Sequence, residues 1–234
     1  MRSPKVAWRS SPRRPRLATA ERPPRQRSAL ILGLALVLTG CTRVLDQPHP
    51  QAEQSVAPIP AGQVHDLLSP RVQDQDGNLF VSVSPDSCSG LAREVDPPFI
   101  AGLRPAATDG GHWADDGRVY IEEMVGVYHR DFDPKAALAD ARHTIDTCRD
   151  VTFTVATMRG QHYAFTVLPQ ANSGTPDIVL WSFRSADWAC DSAFVAAHNA
   201  AIEISTCSAV NGYDVLSLAR DAVKRIDTLA NTTV

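Results

Sequence analysis

The sequence predicts an α+β domain, an antiparallel sheet with helices packed on it, placed behind an export signal. Three observations lead there. Short runs of β-forming residues are joined by tight turns, as hairpins are. Only two long stretches have helical periodicity, too few crossover helices for a parallel sheet. Hydrophobic residues make up 44% of the 234, enough for a buried core. No internal repeat is present.

Residues 1–40 hold nine of the chain's 23 basic side chains and one of its 26 acids, Glu21, which leaves 14 bases and 25 acids for residues 41–234. A body that acidic repels phosphate backbones, so nucleic acid is disfavoured as a partner. The basic arm leads into the apolar run Ala29–Leu38. Ten helical residues reach about 15 Å, roughly half of a bilayer core, too short for an ordinary membrane span. A basic arm, a short apolar run and small residues make a secretory signal.

Leu38-Thr39-Gly40-Cys41 resembles the bacterial lipobox. The resemblance implies cleavage before Cys41, acylation there and anchoring to the membrane through several acyl chains. The competing reading is an ordinary signal peptide with a chance cysteine. Residues 1–40 are expected to be the lipoprotein signal peptide, 41–60 the lipidated Cys41 with a tether rich in proline (Pro48, Pro50, Pro58, Pro60), and 61–234 the extracytoplasmic domain.

Within that domain, Gln63–Leu68 reads as a short helix stopped at Ser69-Pro70, and Leu79–Val83 as a strand. Residues 85–117, rich in Pro, Gly and Asp, read as a long irregular connection, with Asp109-Gly110-Gly111 a simple turn. Arg118–Tyr128 is a strand rich in β-formers. Asp133-Pro134 supplies an N-cap and a first-turn proline, and Leu138, Ala141, Ile145 and Cys148 then recur at helical spacing. Val151–Thr157 and Tyr163–Leu168 read as a hairpin, and Asp177–Phe183 as a strand. Ala193–Ala197 and Ala201–Thr206 form a second hairpin around His198-Asn199-Ala200. Asn211-Gly212 opens a last helix, with Val215, Ala219, Ala222, Ile226 and Ala230 on one stripe.

Motifs for chemistry are scarce. Besides Cys41, the cysteines are Cys88, Cys148, Cys190 and Cys207; in an exported chain four cysteines read as two disulfides, with three connectivities open. Their separations of 60, 42 and 17 positions lack the close ligand pairs that zinc needs. His129-x-Asp131-x-Asp133 looks like a metal cluster at first, but Asp133 is better used as a helix cap and no second ligand pair lies near. The seven histidines form no H-E-x-x-H, and Ser89-Gly90 and Ser173-Gly174 lack the frame of a nucleophile elbow. No cofactor or metal is expected. Glu122 and Glu123 alternate on their strand, so one is directed inward unless the strand is an exposed edge. Trp181 reads as core, and Trp188 as packing on the cystine at Cys190. Trp113, in the acidic loop, is the tryptophan expected to be exposed for ligand contact.

Four features together resemble the extracellular sensor-domain family of the mycobacterial receptor kinase PknH and the lipoproteins that share it. They are Ser84-Pro85-Asp86-Ser87-Cys88 after a strand, a helix ending in Cys148, Trp188-Ala189-Cys190 opening a hairpin that closes at Cys207, and Asn211-Gly212-Tyr213-Asp214 before the C-terminal helix. The resemblance spans about Pro60 to Asn231. It implies a highly twisted antiparallel sheet with helices on it, a cleft for a ligand, and the disulfides Cys88–Cys148 and Cys190–Cys207. Kinase activity is not expected to carry over with the resemblance, which covers the extracellular domain and not a kinase catalytic domain.

The expected function is therefore a non-enzymatic, lipid-anchored sensor or ligand-binding domain at the extracytoplasmic face of the cell membrane. Its expected partners are the membrane, through Cys41, and a small molecule or cell-envelope ligand. A cell-wall or protein interaction module without a pocket is the first alternative, and an envelope hydrolase with two cleft carboxylates a more distant one.

Overall fold

A computed structural model describes residues 58–73, 77–209 and 212–232. The signal, Cys41 and nearly all of the tether lie outside the described residues. Alternating apolar positions build eight strands: β1 (Phe80–Ser84), β2 (Ala107–Asp115), β3 (Val119–Val127), β4 (Thr152–Thr157), β5 (His162–Val167), β6 (Ile178–Arg184), β7 (Ala189–Ala197) and β8 (Ala200–Ser208). They form one antiparallel sheet in the order β1-β4-β5-β6-β7-β8-β3-β2. Three α-helices accompany it, α1 (Pro98–Ala101), α2 (Pro134–Thr147) and α3 (Val215–Thr232), with 3-10 helices at Ala61–Leu67 and Asp86–Leu91.

Two cores follow from the period-two alternation of the strands. On one face Leu138, Ala141 and Ile145 of α2 pack with Phe153, Phe165, Trp181, Phe183 and Phe194. On the other, Val215, Ala219, Ala222, Ile226 and Ala230 of α3 pack on Ile121, Val195, Ile202 and Ile204. Burial of each large aliphatic or aromatic side chain contributes roughly 1.5–3 kcal/mol. Asp133 caps α2, its Oδ1 accepting the Lys135 and Ala136 N–H groups. The last helix begins later than Asn211-Gly212: Asp214 Oδ1 accepts the Ser217 N–H, which places the cap at Asp214.

The β7–β8 hairpin turns through His198-Asn199, with His198 in the left-handed region at φ 52°. Asn199 also fastens the incoming chain: its Oδ1 accepts the Ile59 N–H, and its amide donates to the Ile59 and Tyr128 carbonyls. Two disulfides brace the α2 side. Cys88–Cys148 ties the second 3-10 helix to the end of α2. Cys190–Cys207 joins directly opposed residues of β7 and β8, with Cα atoms 4.2 Å apart.

Residues 85–117 correct the expectation of a long irregular connection. They contain the second 3-10 helix, α1 and the nine-residue strand β2. Gly110 and Gly111 lie inside β2, opposite Met124 and Glu123, and form no turn. Gly111 is required because a Cβ there would collide with the Val72 side chain. The actual turn is Asp116-Gly117, both at positive φ, closed by the Arg118 N–H to the Asp115 carbonyl.

The curl of the sheet creates the site. β5 and β6 pair over only two residues, Thr166 with Arg184 and Val167 with Phe183. Past that short seam the sheet bends, so that β1 and β5 approach β3, although three strands separate β5 from β3 in the order. Trp188 records the approach, its ring lying 6.4 Å from Tyr163 of β5 and 6.0 Å from Tyr120 of β3.

Candidate functional site

A line of polar residues crosses the α2-side face of the sheet. His112 of β2 stands opposite Glu122 of β3, Glu122 opposite Ser205 of β8, and Ser205 opposite Ser192 of β7. Directly opposed residues share a face, so the four form one row. Glu203, two residues from Ser205, lies on the same face. Glu94, from the segment after the second 3-10 helix, joins the two ends of the curled sheet. Its Oε2 accepts the Phe80 N–H at 2.8 Å on β1, and its Oε1 accepts the Ser205 hydroxyl at 3.0 Å on β8.

At the His112–Glu122 end of this row lies a cavity of about 300 Å³ between the ends of the sheet. Its walls include Glu94, His112 and Glu122, the aromatic rings of Tyr120, Tyr163 and Trp188, and Arg159. Several polar atoms of the row have no hydrogen-bond partner within the protein: Glu122 Oε2, Glu203 Oε2, His112 Nε2 and Ser192 Oγ. The nearest approach is His112 Nδ1 to Glu122 Oε2 at 3.6 Å, an ion-pair distance and too long for a hydrogen bond.

The electrostatics follow from crowding acids in a desolvated place. Burial raises the Glu122 carboxyl to about 9, and the charges of Glu94 and Glu123 push the same way. Burial raises Glu94 to about 7 against the opposing pull of its two hydrogen bonds. Glu203 is raised well above the ordinary range by burial and by Glu94. At neutral pH the cleft therefore offers carboxylic acids beside an aromatic wall.

On the other face of β3, Glu123 is 1% exposed and ion-paired with Arg225 of α3. Its second oxygen accepts the Ser69 N–H, while Arg225 Nε donates to the Leu67 carbonyl. This pair clamps the first 3-10 helix and α3 to the sheet. Neither glutamate lies on an exposed edge, because β3 is enclosed between β2 and β8.

The residues singled out from sequence fall as follows. Cys41 lies outside the described residues. Of the four bridged cysteines, Cys207 borders the cleft. Trp113 is not the exposed contact expected. It borders the cavity, but it is 4% exposed and packed in the α3-side core, because β2 is a strand and its register sets Trp113 opposite Ile121. Trp188, read as packing on the cystine, is only partly buried and lines the cleft beside Cys207. Trp181 is core and donates its indole N–H to the Leu91 carbonyl. His129 and Asp131 are exposed at a strand end, and among the described residues no cluster of three or more potential metal ligands occurs.

Sequence reasoning missed Glu94, His112, Ser192, Glu203 and Ser205. The signal available was polar residues within the largely apolar β7 and β8, Ser192 in the first, and Glu203 and Ser205 two positions apart in the second. Nothing local marked Glu94, whose place depends on the curl of the sheet.

Fold and site together define a disulfide-braced, curled antiparallel-sheet domain with a cleft between its sheet ends. The family model for the PknH-like extracellular domain matches residues 57–225, and the chain belongs to that family. Among solved structures, the chain is similar to the crystal structure of the extracellular domain of PknH from Mycobacterium tuberculosis. The two are 17% identical with a TM-score of 0.55, over 74% of this chain and 98% of that one. CalU16 from Micromonospora echinospora matches at 9% identity over 53% of this chain and 80% of that one, with a TM-score of 0.25, too low to carry an argument. No curated protein matches the chain significantly. Among the described residues no helix is long and apolar enough to cross a membrane.

Proposed function

We propose that the chain is a non-enzymatic, extracytoplasmic sensor that binds a small ligand in the cleft between the ends of its sheet and is anchored to the membrane through acylated Cys41. The observation that carries the ligand reading is the cleft itself, about 300 Å³ in volume, which is lined by aromatic rings, Tyr120, Tyr163 and Trp188 among them, and by Glu122 Oε2 with no hydrogen-bond partner within the protein. Sites for small molecules combine this kind of apolar wall with a few convergent polar groups. The anchor rests on Leu38-Thr39-Gly40-Cys41 after the apolar run.

Glu94 and Glu122 both line the cleft, which favours an envelope hydrolase as the second reading. Against it, both Glu94 oxygens are engaged in joining the sheet ends, and neither is left free to attack or to protonate a substrate.

The test is a native mass spectrum of the oxidised protein purified from envelope membranes and re-exposed to envelope extract. The expected result is a retained small-molecule mass that unfolding displaces. A bare mass across several extracts overturns the ligand reading, and release of glycan or peptide fragments from envelope polymer supports the hydrolase. For the anchor, Cys41→Ala is expected to remove the acyl mass and shift the protein out of the detergent phase. Unchanged partitioning refutes it.

A further inference from the structure

The cleft has a chemical bias that its volume alone does not give. Its floor is built from acidic and polar groups whose hydrogen bonding the protein leaves incomplete. Glu122, 9% exposed, leaves Oε2 unpartnered, and His112 Nε2 is likewise unpartnered. Glu94 stands on the opposite wall, and Glu203, with its own unpartnered Oε2, sits behind on the neighbouring strand. The wall above is aromatic, with Trp188 between Tyr120 and Tyr163. A buried polar group without a partner is costly, and an aromatic wall beside an acid favours a cation. One class of ligand serves both. A protonated amine supplies several N–H donors and a positive charge, and an apolar body attached to it fills the space between the rings.

We propose that the ligand of this cleft is a small organic amine, its ammonium seated on Glu122 with Glu94 beside it and its apolar body packed against Tyr120, Tyr163 and Trp188. This rests on the reading that the cleft binds a small molecule. The charged and titratable groups lining the seat are Glu122 and His112 on the floor, Glu94 on the opposite wall and Arg159 at the exposed rim, with Glu203 behind the floor on β8. Arg159 is the one cation among the cavity-lining residues, and it stands at the outer end, where it leaves the acidic floor to the ammonium. Seating a cation favours the ionised form of the acid beneath it, so binding at neutral pH expels a proton from the floor to solvent.

Three probes of one shape separate the possibilities: benzylamine, benzyl alcohol and benzoate, titrated calorimetrically into the full oxidised chain in detergent. Two buffers of different ionisation heat count the protons released. The expected result is benzylamine binding about tenfold or more tighter than either counterpart. Close to one proton should be released per benzylamine bound near pH 7. Glu122→Gln should abolish both the preference and the proton release while benzyl alcohol binding persists. Glu94→Gln, a second removal of an acid from the cleft, should weaken benzylamine and spare benzyl alcohol, which keeps the test decisive if one variant fails to fold. Equal binding of benzylamine and benzyl alcohol overturns the amine proposal and leaves the ligand-binding cleft standing. Failure of all three probes overturns both.

Discussion

Glu122 and Glu123 are neighbours on β3 whose carboxyls lie on opposite faces of the sheet, one in the cleft beside His112 and the other against Arg225 of α3. The same residue type, one position apart, is left unpartnered on one side and fully engaged on the other. Glu123 has an ion pair and a backbone N–H, whereas Glu122 has only a histidine at 3.6 Å. The engaged acid serves the fold, and the unpartnered one faces the cleft.

That asymmetry sets the outcome of substitution. Arg225→Met leaves the Glu123 charge buried without its partner and should cost about 3–5 kcal/mol in urea denaturation. Glu123→Gln combined with Arg225→Met should recover most of the loss. Glu122→Gln should cost nothing at pH 7 or stabilise. A large loss from Glu122→Gln with little from Arg225→Met would invert these assignments.

Stability should fall as pH rises. Glu94 and Glu122 titrate in the folded chain near 7 and 9, above their usual value of 4.5, and Glu203 is raised as well. Between the usual and the folded values the native state binds more protons than the unfolded chain. The contribution of these groups is therefore full below about pH 4.5 and is lost as pH climbs through the folded values. Each group contributes a slope of up to about 1.4 kcal/mol per pH unit within its window. Urea midpoints measured from pH 5.5 to 9 should decline, and Glu122→Gln should flatten the decline. Midpoints that rise over this range would contradict the buried acids.

The two disulfides should differ in weight. Cys88–Cys148 closes 60 positions and Cys190–Cys207 closes 17. On the chain-entropy model their loss costs about 4 and about 3 kcal/mol. Paired alanine replacements at each bridge, compared by denaturation under oxidising conditions, check the order. Peptide mapping without reductant should recover these two linked pairs, and a Cys148–Cys190 peptide would refute the pairing.

The two tryptophans of the cleft region should separate structure from binding. Trp113→Ala removes a core ring and should cost about 3–5 kcal/mol. Trp188→Ala removes a partly buried ring with two aromatic neighbours and should cost about 1–2 kcal/mol while abolishing retention of the small-molecule mass. If Trp113→Ala left stability unchanged, its placement in the α3-side core would be wrong.

Much of this architecture is legible in the chain because local signals and packing agree. Asp133-Pro134 announces α2, and the Val215-to-Ala230 stripe announces the buried face of α3. The strand β2 is hidden in the sequence because Asp109-Gly110-Gly111, where Gly111 makes room for Val72, has the composition of a turn. Read as a loop, that segment would leave Trp113 exposed; as a strand it turns Trp113 into the α3-side core. The cleft was less legible still. The row from His112 to Ser192 crosses two hairpins far apart in sequence, β2–β3 and β7–β8, and Glu94 reaches it only through the bend at the short β5–β6 seam. Such juxtapositions depend on register and curl, which no local pattern of residues encodes.

The most direct test of the central claim is an amide chemical-shift map of the labelled chain on titration with envelope extract. If the cleft is the binding site, the shifts concentrate on Asn78–Phe80, His112, Tyr120–Glu122, Tyr163 and Trp188, and vanish in Trp188→Ala. Shifts confined to the solvent face of α3 or to the far side of the sheet would contradict the cleft and establish a surface that recognises its partner without a pocket.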